Sequence, residues 1–81
     1  MDLANDNYSG GITVLKSIKE EINAAQLKLK NDSINYYRQK NLWDQKIGSK
    51  IDFDSRKLNY DLARNNVLTL KSKLNRTKNE L

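Results

Sequence analysis

The 81-residue sequence carries 15 Lys and Arg against 10 Asp and Glu, a net charge of +5, and has no cysteine, histidine or proline. Without thiols or imidazoles it has no disulfide framework and lacks the commonest metal ligand and general base, so no catalytic residue, metal site or cofactor is expected. A chain of this length buries little core by itself, and its apolar runs are far shorter than the roughly 20 residues that cross a bilayer.

The chain opens on "MDLANDNYSGG", polar and acidic where a signal peptide is basic and then apolar. Residues 1–10 are expected to be a flexible segment of a cytoplasmic protein, with signal-less secretion left open. From Tyr8 onward every seventh residue is apolar: Tyr8, Leu15, Ile22, Leu29, Tyr36 and Trp43. Ile18 and Ala25 fill positions three further on, completing an a/d seam and predicting a helix over 11–46. Asp32 falls on that seam, within "KNDSINYY", which is poor in helix formers. A break at residues 31–33 would give three helices. The row runs from Leu29 to Trp43 without losing phase, so one continuous helix is favoured.

"KIGSKIDFD" ends the first row. Gly48 is the expected left-handed residue after the first helix, and Asp52 and Asp54 suit the start of the next. The turn is placed at 47–53 and the second helix at 54–81, where Phe53, Tyr60, Val67, Leu74 and Leu81 repeat at seven, joined by Ala63 and Leu70. A short connection makes the helices antiparallel neighbours. Folding about residues 49–50 sets Tyr36 near Ala63, Leu29 near Leu70, Ala25 near Leu74 and Ile18 near Leu81. Tyr8, Ile12 and Leu15 then overhang the second helix.

A second apolar set lies off the seams: Ala24, Leu27, Ile34 and Tyr37 in the first helix, and Leu58, Leu62 and Leu68 in the second. One seam between two helices hardly offsets the ordering entropy of about 1.5 kcal/mol per residue. The expected fold class is therefore all-α, a long antiparallel two-helix hairpin of coiled-coil type, completed into a bundle by oligomerisation or a partner protein. Tyr8, Ile12, Leu15, Leu27, Ile34, Tyr37, Leu58 and Leu62 are the candidate protein interface.

Lys57, Arg64, Lys71 and Lys78 form a ruled line beside the second seam, the candidate binding residues for an acidic partner. The facing flank of the first helix reads Lys19, Gln26, Ser33 and Lys40 and offers no carboxylate. Three uses of the line stay open: a solvated column, pairing with acids of another protein, and a track for nucleic-acid phosphates. Bulky aromatics are missing beyond Tyr60, which disfavours a membrane-surface helix.

By shape, the plan resembles the Rop-type RNA-binding hairpins, which dimerise into four-helix bundles. It also resembles the secreted WXG100 hairpins, which carry a Trp at the turn. Trp43 holds that place here, although the following "DQKIG" lacks the Trp-x-Gly motif. The first likeness implies a nucleic-acid-binding regulator and the second a protein secreted without a signal. The residues themselves favour a small non-enzymatic interaction or assembly protein: a structural component, adaptor or chaperone of a larger complex.

Overall fold

The structure, a computed structural model, describes the backbone of residues 3–80 and the side chains of residues 12–80. Two helices account for nearly all of it: α1, Leu3–Asp44, and α2, Lys50–Glu80. They lie against each other as an antiparallel hairpin, a rod of 66 × 16 × 14 Å that is two helices wide and one deep. α1 is unbroken through residues 31–33, so the three-helix alternative falls.

The seam is a 3–4 alternation on both helices. Ile18, Ile22, Ala25, Ala63 and Val67 are its buried apolar residues, and Leu15, Leu29, Tyr36, Phe53, Tyr60, Leu70 and Leu74 extend it half-buried. Asp32 is buried on the same line, at 8% exposure. Its carboxylate accepts a 2.6 Å hydrogen bond from the Lys28 ammonium, one turn back on α1. Lys28 lies along the helix with its charge in solvent, so this buried acid on the seam is held by a neighbour that the helical period supplies.

The boundaries differ from the sequence expectation at three points. α1 begins at Leu3, within the segment expected to precede it, and ends at Asp44 rather than 46. α2 begins at Lys50 rather than 54. The turn is accordingly 45–49, not 47–53.

The caps explain where the chain turns. Lys46, not Gly48, is the left-handed residue that ends α1, with φ 61°. Its N–H donates to the Trp43 carbonyl and the Ile47 N–H to the Leu42 carbonyl, both at 2.8 Å, a Schellman closure. Gly48 follows with φ 90°. Ser49 then caps α2: its hydroxyl accepts the Asp52 N–H at 3.1 Å, and Asp52 places its charge in the first turn. Asp54 is already inside the helix.

Two substitutions should report on this turn. Lys46→Gly is expected to raise stability by about 0.5–1 kcal/mol by relieving a left-handed side chain. Gly48→Ala should lower it by about 1 kcal/mol or more, because alanine disfavours φ 90°. A Cβ at Gly48 would also meet the Gln39 amide nitrogen at 2.9 Å, a flexible tip able to move, so the backbone term dominates. Paired thermal melts followed by circular dichroism check both signs.

Because the chain pivots at 45–49, the arms are offset from the expected register by about six residues, close to two helical turns. Tyr36 packs against Phe53 and Tyr60, with centroids 6.0 and 5.1 Å away, rather than lying near Ala63. Trp43 stacks on Phe53 at 5.9 Å and 18°. Ala25 shares a groove with Leu70 rather than facing Leu74. The expected pairing of Ile18 with Leu81 lies outside the described residues.

Candidate partner-binding edge

Labelling the buried alternation a and d puts Lys57, Arg64, Lys71 and Lys78 at the four successive e positions of α2 from Lys57 onward. All four are exposed. In an antiparallel pair, e faces e across the seam. The e positions of α1 are Lys19, Gln26, Ser33 and Lys40, as read from the sequence. The structure shows that apposition directly: Gln26, Leu29, Lys30, Ser33, Tyr60 and Arg64 line one open groove along this side.

Among the described residues no carboxylate forms an ion pair with the column. Among the described residues the ion pairs are Lys28–Asp32 and Lys40–Asp44, at 2.6 and 3.2 Å, both within α1. Arg64 instead lies over the Tyr60 ring, its guanidinium carbon 5.9 Å from the centroid. That ring belongs to a chain of aromatic contacts running from Trp43 through Phe53 and Tyr36 to Tyr60. The guanidinium is therefore presented from a packed platform, not from a free side chain. Tyr37 also reaches Tyr60, with centroids 5.9 Å apart. Its phenol titrates above the ordinary value, first because it hydrogen-bonds Tyr60 in its protonated form, then because of the charge a Tyr60 phenolate would bring.

The candidate interface residues divide by position. Leu27, Ile34, Tyr37, Leu58 and Leu62 are 48–70% exposed and off the seam, with Tyr37 leaning on the Tyr36 and Tyr60 rings. Leu27 and Ile34 occupy f positions, on the side of α1 away from α2. Ile12 is 47% exposed beyond the paired region. Leu15 departs from expectation: it is half-buried in the hairpin itself. The shifted register carries the end of α2 to about its level, so the overhang begins nearer Ile12 than Leu15. Tyr8 lies outside the described side chains.

Val14 and Ile51 were missed. Val14 is 48% exposed beside Ile12. Ile51 is 80% exposed and lies seven residues before Leu58, on the same f line of α2. That spacing was present in the sequence, but placing residue 51 in the turn concealed it.

The family model for the CzcB-like, alpha-helical hairpin domain matches residues 17–76, a span that takes in both arms of the seam, the turn and the e column as far as Lys71. No curated protein and no solved structure gives a match. No helix among the described residues is long and apolar enough to cross a membrane.

Proposed function

Because the chain belongs to the CzcB-like alpha-helical hairpin family, we propose that it is a non-catalytic assembly part of a larger protein complex, engaged through the outer faces of the hairpin. The observation that carries this is the imbalance between its inside and its outside. Among the described residues five apolar ones are buried, two of them alanines, whereas Leu27, Ile34, Ile51, Leu58, Leu62 and Leu68 are each 48–80% exposed.

A rod one layer deep has no second layer to cover those side chains. Each contributes about 1.5–3 kcal/mol when fully buried, so packing several of them against another chain supplies what the seam lacks. Their placement matters as much as their number. Leu27 with Ile34, and Ile51 with Leu58, repeat at seven residues, the period with which one helix meets another along its length.

Analytical ultracentrifugation of the pure chain, with melts at several concentrations, tests the proposal. Self-assembly, or a hairpin that melts at low temperature alone and is stabilised by its complex, is the expected result. A monomer at micromolar concentration with a high, cooperative, concentration-independent melt would sink it.

A further inference from the structure

We propose that the groove lined by Arg64, with the edge that carries Lys57, Lys71 and Lys78 on either side of it along α2, is the seat of a third helix, supplied by a different protein and carrying carboxylates at heptad spacing. This rests on the assembly reading above and names the partner's chemistry. The groove has a half-buried apolar floor, Leu29 and Tyr60, between walls that include Lys30 and Arg64. A helix laid there would bury its own apolar stripe on that floor and bring its flanking residues against the cations.

The spacing selects the occupant. Successive cations are seven residues apart, roughly 10.5 Å along the α2 axis, which is the interval at which a heptad helix presents one flanking position. Duplex nucleic acid carries a charge about every 1.7 Å, several-fold denser than this row. Stacking groups for single strands are scarce here as well, since the Tyr36 and Tyr60 rings are engaged with each other.

A second copy of this chain fits poorly. Of its 10 acidic residues only Asp54 and Asp61 are seven apart, so it cannot offer a matching column. Two such edges brought together would set cation against cation. The acids must come from elsewhere.

The test uses the full chain and a synthetic helix of four heptads with leucine on its seam and Glu at both flanking positions, which keeps it from pairing with itself. Control peptides carry Gln or Lys at those positions. By calorimetric titration at low salt the Glu peptide should bind at least about tenfold more tightly than the Gln peptide, and the preference should fade at about 0.5 M salt. Arg64→Glu with Lys71→Glu should weaken the Glu peptide at least about tenfold and turn the preference toward the Lys peptide, because attractive pairs become repulsive. Both positions are exposed, so circular dichroism should show unchanged helicity. Equal binding of Glu and Gln peptides overturns the inference, as does a doubly substituted chain that binds the Glu peptide like the wild type. Tighter retention on duplex DNA or RNA than on the Glu peptide also overturns it and assigns the edge to phosphate. Self-assembly in the ultracentrifuge with no response to the Glu peptide leaves the assembly reading standing and removes this one alone.

Discussion

Ile18→Ala is expected to lower the stability of the isolated chain by about 2–5 kcal/mol, the range for truncating a buried aliphatic side chain. Ile18 is 2% exposed, the most completely covered of the described residues. It lies toward the open end, far from the turn and its aromatic contacts. Ordinary domains are stable by about 5–15 kcal/mol, and a seam with five buried apolar residues belongs at the bottom of that range or below it. The substitution should therefore remove most of the helical signal at room temperature. Leu27→Ala on the same helix supplies the contrast: at 70% exposure it should alter the isolated chain by no more than about 0.5 kcal/mol. In the assembled state the order should narrow, because Leu27 gains a neighbour there and Ile18 does not. Urea unfolding followed by circular dichroism separates the two. Equal losses in the isolated chain would mean that the core is not on the Ile18–Val67 seam.

The seam itself was legible because a two-helix contact writes its period into the sequence. Leu15, Ile22, Leu29 and Tyr36 repeat at seven whatever the partner arm does, and so do Tyr60, Val67 and Leu74. Register was not legible, because it is set at the turn by a few backbone dihedrals. The rule that glycine takes the left-handed place pointed to Gly48. Here Lys46 takes it, and Gly48 serves the reversal that follows. Ser49 was overlooked as the α2 cap in favour of Asp52 and Asp54, although "SKID" places an acid three residues after a serine, the capping spacing. An offset of about two turns followed from those two errors, and with it the misplacement of Leu15. The basic column survived them because e positions are fixed by α2 alone. In the proposal above, its charge sets only the sign of the partner, and the groove and the axial spacing are what argue for a helix.

Asp32→Leu is expected to stabilise the hairpin by about 1–4 kcal/mol while making its register less unique. A buried charge is desolvated, and one exposed lysine returns only part of that loss. The Asp32 side chain is 10% exposed and that of Lys28 is 64%, so the pair is strongly desolvated on one side only. Leucine at the same seam position would exchange that deficit for apolar burial. By the observed register the Tyr60–Ala63 stretch of α2 lies across from it, and the buried Ala63 is a small residue in that stretch. Lys28→Ala should instead cost about 1 kcal/mol, a modest loss because the ammonium is largely in water. The consequence for register follows from what slippage would do. A shift of one heptad moves the carboxylate from the Tyr60–Ala63 level to that of Phe53–Arg56 or Val67–Leu70, and so changes the side chains that surround the buried charge. Leucine tolerates each of these levels, so the discrimination falls. The chain has no native cysteine, so labels introduced at the exposed Ser17 and Arg76 report the distance between the arms without interference. The wild type should give one narrow distance distribution, and Asp32→Leu a higher melting temperature with a broader or doubled one. A lower melting temperature with an unchanged distribution would show that the Lys28–Asp32 pair contributes net stability and that the turn alone sets the register.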